Sequence, residues 1–383
     1  MNRIVIVVLF LTLLISCNQP ATHSAANKTH CMKLETLPVK YARGFTVDYY
    51  AGFKVITVRD VKDTSTVLAQ YVLRPHGKPA PVDFKQATLL DMPVGQVICI
   101  STNHLAEMVQ LNLIDSIAGV ANTDLIYNSE VTDRVNRQVI SNVGQNELNY
   151  EKIAELNPSF VLTSGHWDGG DKMKLKLNSL KILSVLNLDY MEQEPLARAE
   201  WLKFMAAFYD REDVADSLFQ EVEDNYVALK KMAGSVDAKP TVFTNLPFKE
   251  IWYMPCGDNY TARLIADAGG DFLWKNAKAT NGLNLNLDYE AVYARAAHAD
   301  FWLNTGFART LNEIKSADKK NALFDAYKNG KVYNNNLRNT ASGGFDFWES
   351  GVLHPDKVLA DLIHILHPEL LPNYQLYYYQ PLQ

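Results

Sequence analysis

The stretch LNYEKIAELNPSFVLTSG, beginning at Leu148, has a near twin in LDYEAVYARAAHADFWLNTG, beginning at Leu287. Each opens with Leu, then Asn or Asp, then Tyr and Glu. Each runs through a short helical pattern into an apolar stretch and ends at a small polar residue and Gly. A helix-then-strand phrase used twice, with Glu151 and Glu290 separated by 139 positions, points to two like halves. A chain of 383 residues is also long for a single core.

The surrounding pattern agrees. QVICIS, SIAGVAN, SFVLTSG and SVLNL read as buried strands, separated by helical stretches such as TNHLAEMVQLNL and KMKLKLNSLKIL. TVFTNLP, DFWLNTG and KVYNNN repeat this in the second half, ending in the helix PDKVLADLIHILHP. Strands alternating with helices predict parallel sheets with helices on both faces. Between the halves, Leu196 to Ala233 reads as the longest helical stretch, with Val214, Leu218, Val222, Tyr226 and Leu229 as one stripe. Ahead of them, FTVDYY, FKVITVRD and TVLAQYVL alternate like a short β meander.

The predicted fold class is thus α/β, with two Rossmann-like lobes, a long interlobe helix and an N-terminal β add-on. Its expected bounds are 18–40 for a flexible tether, 41–91 for the add-on, 92–195 for the first lobe, 196–234 for the helical linker and 235–383 for the second lobe.

Residues 1–17 read as an export leader. Arg3 precedes an apolar run from Ile4 to Ile15, too short for the roughly 20 residues that span a bilayer. Leu14-Ile15-Ser16-Cys17 resembles the lipobox of bacterial lipoproteins, which makes Cys17 the lipidation site and anchors the protein to a bacterial membrane, facing the periplasm. Of the other cysteines, Cys99 lies in an apolar run, and Cys31 and Cys256 are left open as a pair. The spacing fits no zinc or redox motif. A net charge of −6 without a basic cluster argues against nucleic acid as a partner.

In each repeat, Asn149 or Asp288 stands where a helix N-cap belongs. A Glu in the first turn offsets the positive helix end, worth about 0.3–1 kcal/mol. That accounts for one Glu, not for two at matching points of matching units. The sequence resembles the periplasmic binding proteins of ATP-driven importers, in the class that carries ferric siderophores, haem and cobalamin. LNYEKIAELNPSFVL and LDYEAVYARAAHADFWL carry the resemblance, with AEWLKFMAAFY, YTARLIADAGGDFLW and GVLHPDKVLADLIHILHPEL. It covers roughly residues 92–371, and Asn157-Pro158-Ser159 departs from it where an acidic residue often follows the Pro. The resemblance implies two lobes joined by a rigid helix, a ligand in the shallow cleft between them, and small closure on binding. It also implies docking of Glu151 and Glu290 on Arg residues of an ABC permease with its ATPase.

Cleft residues are sought at strand ends. The candidates are His104, His166, Trp167, Trp252, Tyr253, Tyr260, Phe307, Arg338 and Trp348. The aromatics offer flat contact area to a chelate. Arg338 suits an anionic siderophore or a propionate. His364 and His367 are assigned no site.

The expected ligand is an iron chelate, a ferric siderophore or haem, with a corrinoid as the alternative and a bare zinc or manganese ion as a further one. No G-x-S-x-G, P-loop or H-E-x-x-H occurs, so no enzyme is expected. No cofactor and no resident metal are expected, and the protein is expected to be a monomer.

Overall fold

A computed structural model of the chain describes residues 31–165, 170–278 and 284–383. The leader with Cys17, and the pair His166 and Trp167, lie outside the described residues. Among the described residues, no helix is long and apolar enough to cross a membrane.

The first lobe is a five-stranded parallel sheet. Its order is Ser184–Leu186, Val161–Thr163, Val97–Cys99, Ile117–Val120, Ser141–Asn142. The three central strands are apolar and buried throughout, or nearly so, because helices cover both faces. The second lobe orders Asp271–Phe272, Thr241–Thr244, Phe301–Leu303, Val332–Asn334, Gln380–Pro381, parallel except for the last pair. Its core centres on the rings of Phe243, Trp302 and Phe324, with Phe243 stacked at 4.8 and 4.9 Å on the other two.

The N-terminal sheet has five strands and extends beyond the expected meander at both ends. It runs Lys33–Thr36, Phe45–Tyr50, Phe53–Arg59, Val67–Pro75, Thr88–Met92. Lys33–Thr36 falls where the sequence suggested tether. All four residues are exposed, so the strand carries no apolar signal and is fixed by antiparallel pairing to Phe45–Tyr50.

This sheet is not a loose appendage. Phe45 packs on Trp201 at 4.9 Å and on Phe204 at 5.6 Å, within the core of the first lobe. Two carboxylates tie down the chain entering it. Glu200 accepts from the backbone N–H groups of Lys40, Tyr41 and Ala42 at 2.7–2.8 Å. Glu192 accepts from those of Arg43 and Gly44 at 2.8 and 2.9 Å. Gly44 is required there, since a Cβ would lie 2.6 Å from the Trp201 ring.

The connector is three helices rather than one: Pro195–Glu200, Leu202–Ala206 and Glu212–Ala233. Every residue from Pro195 to Phe208 is buried, so this part runs through the interior and has no solvent face. The chain then turns at Asp210, whose φ is +52°. Glu212–Ala233 is the long helix, and it packs on the terminal helix Pro355–Leu366.

The lobes also meet directly. Glu349, on the short helix Asp346–Glu349 of the second lobe, accepts from the N–H groups of Tyr127 and Asn128 of the first at 2.7 and 2.9 Å. The Thr340 hydroxyl donates to the Asp124 carbonyl at 2.9 Å. Gly344 sits so close to Leu125 that a Cβ would lie 2.0 Å from its carbonyl oxygen.

Burial raises the Glu349 carboxyl from 4.5 to about 7, against the two N–H bonds it accepts. Burial lowers the nearby His354 from 6.5 to about 4, with Lys357 adding to the effect. From pH 4.5 to about 7 the folded protein thus holds more proton on Glu349 than the unfolded chain, which lowers stability as pH rises. From about pH 4 to 6.5 it holds less on His354, which raises stability as pH rises. Glu349→Gln removes the first contribution and leaves the second. Its unfolding free energy, measured in urea, should climb more steeply from about pH 5 to about pH 6.5 than that of the wild type. Equal slopes would contradict the assignment.

Candidate functional site

Strand order locates the site. In an open parallel sheet, ligands bind beyond the strand C-termini where successive connections leave in opposite directions. In the first lobe that point lies between Val97–Cys99 and Val161–Thr163, which lead into Ser101 and Ser164–Gly165. In the second it lies between Thr241–Thr244 and Phe301–Leu303, which lead into Asn245 and Asn304. Gly165, Asn245 and Asn304 have φ of 70°, 68° and 59°, turning the chain sharply off each strand end. Asn accepts that conformation more readily than other non-glycine residues.

The floor of the first-lobe half is a buried polar network. Asn103 donates to one Asp189 oxygen at 2.7 Å, and Arg198 donates to the other at 3.0 Å. Asn187 donates to both Glu107 oxygens at 3.1 and 3.0 Å and accepts from the Asp189 N–H at 3.0 Å. Burial, helped by the charge of Asp189, pushes the Glu107 carboxyl well above the usual carboxylate range. Asn187 and Arg198 oppose that shift.

This network reaches the second lobe at Tyr260, whose ring lies 4.8 Å from the Arg198 guanidinium carbon. Burial pushes the Tyr260 hydroxyl up to about 12. On the second-lobe side, the Tyr379 hydroxyl donates to Asn304 at 2.8 Å. Among the described residues, three buried polar atoms here have no hydrogen-bond partner: Arg198 Nε, Tyr260 Oη and Thr305 Oγ1. A buried polar group without a partner costs about 1–3 kcal/mol, so these positions favour a water or a ligand oxygen.

Beside them the second lobe carries a recess of about 520 Å³, floored by Asn245, Asn304 and Thr305 and rimmed by Phe248 and Phe307. Phe307 is 77% exposed and Phe248 63% exposed. Phe248 is held out by a two-residue turn, Lys249-Glu250, with φ of 49° and 68°, closed by paired backbone bonds between Phe248 and Ile251.

The sequence candidates divide on this geometry. Phe307 and Tyr260 come to the seam. Tyr253 is 38% exposed on the strand Trp252–Pro255, beside the same recess, and its carbonyl accepts from Asn245 at 2.6 Å. Trp348 is 44% exposed on the interlobe helix Asp346–Glu349.

Trp252 is corrected to a core residue. It is fully buried among Phe243, Trp302 and Phe324, and its indole N–H donates to the Thr244 carbonyl at 2.8 Å. No ring face remains for a ligand. His104 is likewise fully buried in the first turn of the helix Thr102–Gln110, with Nε2 3.4 Å from the Ser164 hydroxyl. It sits under the floor rather than on it.

Arg338 is committed to the seam. Its Nε donates to Asp346 at 2.6 Å, and its guanidinium lies between the rings of Tyr127 and Tyr377, at 4.9 and 4.3 Å. His364 and His367 bond to the carbonyls of Leu371 and Gly269, in keeping with no assigned site. Cys31 and Cys99 are free thiols, and the Cys256 thiol donates to Asp258 at 3.0 Å.

Arg198, Asp189 and Phe248 lie outside the sequence candidates, whereas Thr305 falls in the strand-end stretch NTGF, Asn304–Phe307, that the sequence marks as cleft lining. Among the described residues, no three His, Cys, Asp or Glu side chains converge as a metal site.

Glu151 and Glu290 are both exposed, each in the first turn of its helix. Asn149 caps the first helix by accepting from Lys152 N–H at 2.9 Å, and Asp288 caps the second by accepting from Ala291 N–H at 2.7 Å. Glu290 has Lys320 at 3.4 Å.

Similar proteins share this plan. An uncharacterized lipoprotein of Methanocaldococcus jannaschii is 29% identical over 301 residues, 76% of this chain and 69% of that protein. A possible iron-binding periplasmic solute-binding protein of Staphylococcus epidermidis superposes with a TM-score of 0.54 at 16% identity, covering 72% of this chain and 99% of that one. A periplasmic haem-binding protein of Vibrio cholerae superposes with a TM-score of 0.53 at 16% identity, covering 70% and 98%. At such identities the solved structures speak to the fold alone. The family model described as periplasmic binding protein matches residues 97–335, which takes in the first-lobe sheet, the connector and all but the last strand of the second-lobe sheet, and the chain belongs to that family.

Proposed function

We propose that this protein is the ligand-capturing component of an ATP-driven importer and that it carries an iron chelate between its lobes. The observation that carries this reading is the recess of about 520 Å³ at the second-lobe switch point, with exposed phenyl rings at its rim and an unpartnered threonine hydroxyl in its lining. Flat apolar faces contact a large chelate, and unpartnered donors take its oxygens. The names of the Staphylococcus and Vibrio proteins are in keeping with iron and haem as cargo. A lipid on Cys17 would hold the protein at the membrane, in keeping with the name of the Methanocaldococcus relative. The polar network in the floor is structural and binding in character, and the protein delivers its ligand unchanged.

Glu151 and Glu290 supply the docking contacts. Each stands exposed in a capped first turn, at matching points of the two lobes, where an Arg of the permease can pair with it.

Two results test this reading. Tryptophan fluorescence and calorimetry should find submicromolar binding, in the sense of a dissociation constant below about 1 µM, for one of a panel of ferric siderophores, haem and cobalamin. Phe307→Ala should weaken it about tenfold. Tight zinc binding with no chelate bound would replace the reading with a bare-metal receptor.

In proteoliposomes holding the cognate permease and its ATPase, Glu151→Arg or Glu290→Arg should cut ligand-stimulated ATP hydrolysis about tenfold or more. Ligand affinity should stay within about twofold. Full stimulation by the double variant would remove the docking role.

A further inference from the structure

A second cavity, of about 540 Å³, lies between the N-terminal sheet and the edge of the first-lobe sheet. One wall is Val61 with the strand stretch Leu68–Tyr71, which lies outside the family-matched residues 97–335. The opposite wall is the edge strand Ser184–Leu186 with Leu188, and Met173 closes one side. The Leu186 N–H donates to the Tyr71 hydroxyl at 2.9 Å, which bridges the two sheets and fixes the gap between them. The cavity is therefore walled on one side by the added sheet and on the other by the fold shared with the family.

Its described lining selects against charge. Among the described residues, Asp60 and Lys174 are its charged ones. Asp60 is engaged in its own turn, accepting from the Lys62 N–H at 2.8 Å, and Lys174 is exposed. The remaining polar side chains, among them Gln70, Thr88, Asn178 and Ser184, are uncharged. An ion placed here would lose its hydration without gaining a counter-charge in the interior, whereas an apolar group loses only contact with water. The volume falls in the range that encloses small organic molecules. Met173 and Met191 give the wall two adaptable side chains.

The cavity also has a defined place. Thr163 and Gly165 are in its lining, and both lie at the strand end that forms the cleft lip.

We propose that this cavity is a second binding site, for an uncharged and mainly apolar group with a few hydrogen-bonding atoms. Two sources carry that chemistry: a free small hydrophobe, or the apolar arm of a ligand seated in the cleft. The site stands whether or not the cleft carries an iron chelate.

The probe is N-phenyl-1-naphthylamine, a neutral amine that fluoresces in apolar surroundings, added to the polypeptide from residue 18 onward. Among the described residues, every strand and helix lies at or beyond residue 33. Saturable binding is expected, with a dissociation constant on the order of 10 µM. Its sulfonated analogue, 8-anilinonaphthalene-1-sulfonate, should bind about tenfold more weakly or worse.

Ala69→Trp and Ser184→Phe fill the cavity from opposite walls. Each should weaken probe binding about tenfold or more while leaving the melting temperature within a few degrees. No saturable binding, equal binding of the sulfonated analogue, or unchanged binding by both variants would overturn the proposal. Displacement of the probe by a chelate that binds the cleft would identify the occupant as that chelate's arm. Simultaneous binding of the two would identify a free hydrophobe.

Discussion

The buried ion pair between Asp189 and Arg198 holds the two halves of the site together. Asp189 follows the last first-lobe strand, Arg198 lies in the connector, and the guanidinium rests on Tyr260 of the second lobe. Both partners are nearly inaccessible, with 2% and 8% of their side chains exposed. A pair so placed adds little net stability over an apolar substitute, but losing one partner strands the other charge, at about 3–5 kcal/mol. Its value is therefore geometric. Asn103 and Asn187 satisfy the remaining atoms of Asp189, and through them the ends of two strands are held in register with the connector. The unpartnered Nε of Arg198 and hydroxyl of Tyr260 are the places where this network stays open.

Motion between the lobes is limited by the same arrangement. The connector from Pro195 to Phe208 is buried on all sides and shares its aromatic core with the N-terminal sheet. A hinge there would expose Trp201, Phe204 and Phe208 together. At the far side, Glu349 grips two backbone N–H groups of the other lobe, and Gly344 lies against Leu125. On the proposed reading, ligand entry would need only small adjustments of strand-end loops and rim side chains. An exposed ring such as Phe307 can make them by rotation.

What the sequence disclosed followed from repetition and local chemistry. The twin phrases marked both lobes, and Asn149 and Asp288 as caps placed Glu151 and Glu290 correctly in their first turns. Where it misled, the missing information was tertiary. In IWYMP, Trp252 and Tyr253 are adjacent aromatics on a strand, so they point to opposite faces, and only packing decides which is inside. The strand Lys33–Thr36 is exposed along its length and looks like tether. Arg198 was hidden in a stretch read as a surface-type helix, although its segment is buried all round. Phe248 was hidden because Lys249 and Glu250 both adopt positive φ without the Asn or Gly that announces such a turn. Arg338 looked available because the rings of Tyr127 and Tyr377 come from distant parts of the chain, and the fold alone brings Asp346, eight residues on, back against it.

The central claim is that ligand is held at the two facing switch points. Amide hydrogen exchange with and without the chelate found by titration tests it most directly. The account predicts new protection in both lobes at once, at Ser101, Ser164–Gly165 and Asn187–Asp189, and at Asn245–Phe248 and Asn304–Ala308. It predicts no change at Tyr127 and Asn128, which Glu349 already holds. Protection confined to one lobe, or to the N-terminal sheet alone, would contradict it.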